Sequence, residues 1–226
     1  GNRLFEQQVQ EETAQAELQA QQELAQLETQ ALESPDFRNA PERFREQARQ
    51  RINNIAENVN PTVQNQVRTR LFRQAATQTA QLRRRAVRKS QEATEAAVNS
   101  QLQSLAEGFA KSPTPQGRQV IEDQIGETAD KLRQSAILTG PEVEAKAAET
   151  RAIAQAARVT QLVNEKNPDA ARTALQNGKD IAPDQAFTLN NRIDAVENEV
   201  GREMEDMMGE VRSAVAGSGR IPRVLS

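Results

Sequence analysis

The most constraining feature of the sequence is a central stretch, from Thr62 to Ser112, that contains no proline and a single glycine, Gly108. Apolar residues recur at helical spacing near both of its ends, namely Val63, Val67, Leu71, Ala75, Val98, Leu102, Leu105 and Phe109. A helix of about 50 residues is roughly 75 Å long, which exceeds the size of a compact domain of this chain length. The stretch therefore predicts an extended structure built on one long helix.

The composition favours helices throughout the chain. Gln, Glu, Ala, Arg and Leu dominate, all of which are good helix formers, and β-branched residues occur singly instead of in alternating runs. Aromatic residues make up only 3% of the chain, so Leu, Val, Ile and Ala must hold long helices together. We predict an all-α fold, an extended bundle of long helices and helical hairpins that assembles into a ring or tube.

Breaks in the helical pattern divide the chain into four regions. Residues 1–33 form a Gln/Glu-rich helix, and residues 34–140 form a long helical segment with a basic centre. Residues 141–216 form a helical hairpin region, and residues 217–226 form a flexible tail or linker. Each boundary coincides with serine, proline or glycine, the residues that start or stop helices.

The second region opens with the sequence SPDF. Ser34 is a suitable N-cap and Pro35 a suitable first helical residue, which predicts a helix that begins at once. Downstream, one apolar stripe at spacings of three and four predicts a buried helix face: Phe44, Ala48, Ile52, Ile55 and Val59.

The third region contains a hairpin signal. Pro168 and Pro183 each mark the first turn of a helix, and Gly178 lies between them where the first helix must stop. We predict a left-handed backbone conformation at Gly178, because glycine enters that conformation freely. Folding back at this point is expected to place Leu175 against Phe187.

Missing residue types exclude most catalytic chemistry. The chain has no Cys and no His, which removes thiolate nucleophiles, the commonest general base and the commonest transition-metal ligands. It also lacks Trp and Tyr, on which sugars would stack, and it has no apolar run of the length that spans a bilayer. We therefore expect no enzymatic activity, no cofactor, no metal and no transmembrane segment.

Two clusters near the C-terminus are candidate binding sites. The carboxylates of Glu197, Glu199, Glu203, Glu205 and Asp206 suit a hard cation, but helical geometry scatters them around the axis, which favours a solvated face. Met204, Met207 and Met208 form either an adaptable docking patch or, with Val200 and Val211, core or subunit packing. The helical spacing favours packing.

Positive charge is concentrated in residues 38–89, which hold thirteen basic residues against three glutamates, whereas residues 1–33 hold one arginine against seven glutamates. This asymmetry predicts pairing between copies or an anionic ligand. A basic ridge on one helix is the candidate for sequence-independent DNA contact, and the alternative is a solvated face paired with glutamates. The ridge comprises Arg68, Arg70, Arg73, Arg83, Arg84, Arg85, Arg88 and Lys89.

Three phrases resemble internal virion proteins, the ejection or pilot proteins of short-tailed bacteriophages. They are SPDFRNAPERFREQARQRI in residues 34–52, LTGPEVEAKAAETRAIAQAARV in residues 138–159, and NPDAARTALQNGKDIAPDQAFTLNNRID in residues 167–194. The last combines a short helix, a glycine stop and a proline-started helix. The resemblance covers most of the chain from Ser34 to Asp194.

The resemblance implies a protein stored in the capsid interior and released, ahead of the genome or with it, into the host periplasm or cell envelope. There it would assemble as a homo-oligomer, with other phage ejection or tail proteins, into a conduit for DNA. Some proteins of this kind carry a peptidoglycan-cleaving domain, whose parts this sequence does not show. Two alternatives stay open: a non-enzymatic coiled-coil scaffold or tape-measure segment, and the non-catalytic helical part of a phage peptidoglycan hydrolase.

Overall fold

The computed structural model describes residues 1–218, and the all-α prediction is confirmed. Those residues form seven helices and no strand. They are α1 (Asn2–Glu33), α2 (Ala40–Glu57), α3 (Gln64–Lys111), α4 (Pro115–Gln134), α5 (Gly140–Asn164), α6 (Pro168–Asn177) and α7 (Pro183–Ser218). The predicted tail at residues 217–226 is therefore helical at Gly217 and Ser218, and its remainder lies outside the described residues.

The helices pack into two compact units that divide within α3. The N-terminal unit is Gly1–Ala93, and the C-terminal unit begins at Thr94. The N-terminal unit has a thin core of single stripes from α1, α2 and the first part of α3, with Phe44 its largest fully buried side chain. The predicted stripe is confirmed, since all five of its residues are buried. Four lie on α2, namely Phe44, Ala48, Ile52 and Ile55, and Val59 lies in the turn just after that helix.

The start of α2 differs from the prediction at Ser34 and Pro35. The helix begins at Ala40, and residues 34–39 form a turn in which Asn39 donates to the carboxylate of Asp36 at 3.0 Å. Arg43 donates to Ser34 Oγ at 2.6 Å, so this hydroxyl binds a side chain instead of capping the helix. Pro41, the second proline of the segment, occupies the helix start.

The C-terminal unit has two apolar clusters that share α5. One joins the end of α3 to α4 and the first half of α5, and its fully buried residues include Ile125 and Leu132. The other joins the second half of α5 to α6 and the start of α7 through Val159, Ala171 and Ile193. The short helix α6 is thus held between two longer helices.

The C-termini of α4 and α5 end in the same hydrogen-bonded motif, with a non-glycine residue in the left-handed region. Ala136 has φ 54° and Lys166 has φ 56°. After α4, Ile137 N donates to Leu132 O at 2.9 Å and Ala136 N donates to Arg133 O at 3.0 Å. This 6→1 and 5→2 pairing is the Schellman motif, in which glycine is the usual left-handed residue.

The prediction of a left-handed Gly178 was wrong. Gly178 has φ −77° and ψ 77°, a conformation open to other residues, and its N–H donates to Leu175 O at 3.2 Å. Space is what favours glycine there, because an added Cβ would overlap the side chain of Ile181 and lie 3.3 Å from Leu175 O. The two helices are nevertheless separate, since α6 ends at Asn177 and α7 begins at Pro183.

The predicted contact between Leu175 and Phe187 was also wrong. Phe187 is 69% exposed, whereas Leu175 is half-buried against the second cluster of the C-terminal unit. Ile193 lies six residues beyond Phe187, which is a rotation of about 120° around a helix axis. Because Ile193 is fully buried, Phe187 faces away from α5 and α6.

Candidate nucleic-acid interface

All eight basic residues predicted to form a ridge lie on α3, within the N-terminal unit. They do not form one ridge, because successive residues of a helix are rotated by about 100°. Arg83, Arg84 and Arg85 therefore leave the axis in three different directions. Only four of the eight share an arc of about 60°, and these span roughly 27 Å along the axis: Arg70, Arg73, Arg84 and Arg88.

Two of the predicted arginines pair with carboxylates of neighbouring helices. Arg70 Nη1 lies 3.2 Å from Glu17 Oε1 on α1, and Arg83 Nε donates to Glu42 Oε1 on α2 at 3.1 Å. The hydrogen bond from Arg83, followed by its charge and that of Arg45, holds the pKa of Glu42 below its usual value. For these two arginines the alternative of glutamate pairing holds.

Three further residues are turned toward the rest of the N-terminal unit. Lys89 Nζ donates to Leu32 O, at the end of α1, at 3.1 Å. Arg85 lines the same small pocket as Leu32 and Lys89. Arg68 is half-buried, and its Nε has no hydrogen-bond partner among the described residues. None of the three shares the arc that contains Arg70, Arg73, Arg84 and Arg88.

The remaining residues define an outer basic face: Arg73, Arg84 and Arg88. All three are exposed, and no salt bridge joins them to a carboxylate within residues 1–218. Their guanidinium groups can bind phosphate oxygens through charge and paired N–H donors. No exposed aromatic residue interleaves with them, since Phe72 on the same helix is half-buried. Such a face can bind a nucleic-acid backbone without reading its bases.

A second basic site, which the sequence did not predict, lies in the C-terminal unit. Arg118 of α4, Arg158 of α5 and Lys179 of the α6–α7 loop line a cleft of about 480 Å³. Arg158 donates to Ala110 O at 3.0 Å and Arg118 donates to Ser112 O at 2.9 Å, at the end of α3. Burial, and then the charge of Arg158, lower the pKa of Arg118.

Carboxylates in the same cleft offset its positive charge. Gln155 Nε2 donates to Asp180 Oδ2 at 3.1 Å and to Glu122 Oε1 at 3.4 Å, and Asp180 N donates back to Gln155. Arg158 satisfies a carbonyl in the last turn of α3, and Arg118 satisfies the carbonyl of Ser112 just after that helix, which is a structural task. Because these residues come from separate helices, no local sequence signal could have found the cleft.

Four acidic residues of α7 act as ion-pair partners. Lys166 Nζ lies 3.2 Å from Glu199 Oε1 and 3.1 Å from Glu203 Oε1, and the hydrogen bonds that it donates to Glu203 and Glu199 raise the pKa of Lys166. Arg172 pairs with Asp194 at 3.0 Å and with Glu197. Within residues 1–218 no three acidic side chains are grouped as a metal site. These contacts fasten α7 to α6 and to the end of α5.

Comparison with known proteins gives no relative. No family model, curated protein sequence or solved structure matches this chain. Within residues 1–218, no helix contains an apolar segment of the length and hydropathy needed to cross a bilayer.

Proposed function

We propose that this chain is a structural subunit of a bacteriophage DNA-ejection apparatus. In this proposal it is stored in the virion, passes into the host periplasm or envelope, and assembles there with copies of itself and other phage proteins into a helical conduit for the genome. The work is mechanical, so no residue is assigned a catalytic role.

The observation that carries the proposal is the arrangement of helix starts in the C-terminal unit. Two of the three phrases through which the sequence resembles ejection proteins, residues 138–159 and 167–194, correspond to α5, α6 and the start of α7. Pro168 and Pro183 are the first residues of α6 and α7, and Pro141 is the second residue of α5. These two phrases coincide with a long helix, a short helix and a further long helix, which is the arrangement that the resemblance implies and which supports the proposal.

The thin cores suit passage through a narrow tail. Each helix of the N-terminal unit buries one stripe, in which Ala16, Ala20, Ala48 and Ala75 supply small side chains. Little apolar surface is lost when such helices separate, so the free energy of local opening is small compared with that of a thick globular core. The chain could then loosen, travel and refold at its destination.

The outer basic face gives the conduit a sequence-independent means of touching DNA. Arg73, Arg84 and Arg88 offer guanidinium groups that no intrachain carboxylate within residues 1–218 neutralises. Contact with phosphates would be weakened by salt, which lets the genome slide past the protein.

One observation favours a second candidate, a coiled-coil scaffold or tape-measure segment. The helix α3 continues without a break for 48 residues. A scaffold of this kind would stay with the particle as a structural spacer instead of leaving with the genome.

Quantifying the chain in purified phage particles before and after triggered DNA release tests the proposal. We expect full particles to contain it, emptied particles to have lost it, and the envelope fraction of infected cells to have gained it. Retention in emptied particles, or absence from full particles, would contradict the ejection role. The major capsid protein, which remains in both kinds of particle, serves as the internal control.

A further inference from the structure

Beyond Glu203, the second half of α7 contacts no other helix within residues 1–218. Every residue from Gly201 to Ser218 is exposed, and the last intrachain contact along the helix is the ion pair between Lys166 and Glu203. We call residues 201–218 the free half of α7. An isolated helix of this length is marginal in water, and Gly209 in its interior costs a further ~1 kcal/mol.

The apolar stripe that anchors α7 continues along its free half. Leu189 and Ile193 are buried against α5 and α6, and Val196 packs beside them. At about 100° per residue, the later members of the stripe fall within the same arc of roughly 120°. They are Val200, Met204, Met207, Val211 and Val215, of which Met207 is 66% exposed and Val211 62%. Only the first half of the stripe is therefore packed against other helices of the described chain.

Acidic residues border this stripe on one side. Glu203, Asp206 and Glu210 follow one another at intervals of three and four, on an arc adjacent to that of Met207. The free half therefore presents an apolar strip with an acidic flank. Two copies of it packed antiparallel would gather these carboxylates on one side, which disfavours that form of self-pairing.

Between α2 and α3, the N-terminal unit contains a groove whose floor is largely apolar and whose rim is positively charged. Its floor is formed by Phe72, Ala75, Ala76 and Thr79 of α3, and its cavity volume is about 420 Å³. Three arginines rim it, namely Arg45, Arg49 and Arg83. From Phe72 to Arg83 the groove follows α3 for about 16 Å, which equals the axial distance from Met204 to Val215.

The ion pairs that Arg45 and Arg49 form within the chain leave both guanidinium groups able to bind a further carboxylate. Arg45 and Arg49 lie 3.7 Å and 3.5 Å from the carboxylates of Glu42 and Glu46 on their own helix, and both arginines are largely exposed. Exposed pairs of this kind contribute little free energy, so an incoming carboxylate can compete for the guanidinium groups.

We propose that the free half of α7 from one copy lies in the α2–α3 groove of a second copy. Met204, Met207 and Val211 would cover the groove floor, while Asp206 and Glu210 would face Arg45 and Arg49. Each copy carries both a helix and a groove, so the contact is heterologous and generates a closed ring or an open filament. The proposal concerns self-association and does not depend on the ejection role.

Cysteine cross-linking tests the contact in the full chain, which has no native cysteine. Ala76→Cys places a thiol on the groove floor, and Val211→Cys places one on the stripe. After mild oxidation of the mixed variants, we expect a disulfide-linked dimer that neither variant forms alone. Ser213→Cys, on the opposite side of α7, is the matched control and should not cross-link to Ala76→Cys.

Charge reversal supplies a second measurement. Arg45→Glu with Arg49→Glu should weaken association in sedimentation, and a partner carrying Asp206→Arg with Glu210→Arg should restore it. All four residues are exposed, so circular dichroism should show unchanged helicity. Cross-linking of Val211→Cys only to itself, a monomer at every concentration, or association unaffected by charge reversal would each overturn the proposal.

Discussion

Replacing Ala136 by glycine should stabilise the protein, although alanine is the better helix former. Ala136 has φ 54° in the Schellman motif after α4. A non-glycine residue in this region costs roughly 1–2 kcal/mol because Cβ approaches the following carbonyl oxygen. Glycine removes that cost but adds roughly 0.5–1 kcal/mol of backbone entropy to the unfolded chain. We therefore expect a net stabilisation of about 0.5–1 kcal/mol.

The assay is urea unfolding followed by circular dichroism, with Ala96→Gly as the matched control. Ala96 is exposed in the interior of α3, within the same C-terminal unit, so the identical substitution there should destabilise by ~1 kcal/mol. The two variants should shift the unfolding midpoint in opposite directions. If Ala136→Gly destabilises as much as Ala96→Gly, the left-handed conformation and the strain argument are both wrong.

Three further predictions concern the core, the Glu42 ion pair and the outer basic face. Phe44→Ala should cost about 3–5 kcal/mol in urea unfolding because Phe44 is fully buried, while Phe187→Ala should change stability by less than about 0.5 kcal/mol. Because hydrogen bonding lowers the pKa of Glu42 on folding, its contribution to stability should be present above the ordinary value of 4.5 and lost as pH falls through the lowered pKa; an ordinary or raised pKa in an NMR titration would contradict this. Arg84→Gln with Arg88→Gln should weaken DNA retention and reduce its salt dependence, and unchanged retention across salt concentrations would mean that the face is only solvated.

The helices and their buried faces could be predicted from the sequence because apolar residues at spacings of three and four mark a helix and the face that it buries. The stripe that begins at Phe44 is buried as spacing predicted, and the prolines at positions 168 and 183 begin α6 and α7. The reason is physical: a helix buries one arc, and proline fits where no intrahelical N–H bond is needed.

Contacts between elements could not be predicted in the same way. Spacing identified Gly178 as a helix stop but could not show that Ile181 fills the space beside it. The charge run predicted one ridge, whereas rotation along α3 and the position of Glu42 divide it into paired, inward and free arginines. The cleft of Arg118 and Arg158 depends on tertiary packing alone.

The proposed ejection role requires this chain to assemble into a conduit, and electron microscopy of the purified protein tests that assembly most directly. We expect closed rings or tubes with a central lumen wide enough for duplex DNA. Isolated rods, or particles without a lumen, under every salt and protein concentration tried would contradict the proposed role and favour the scaffold.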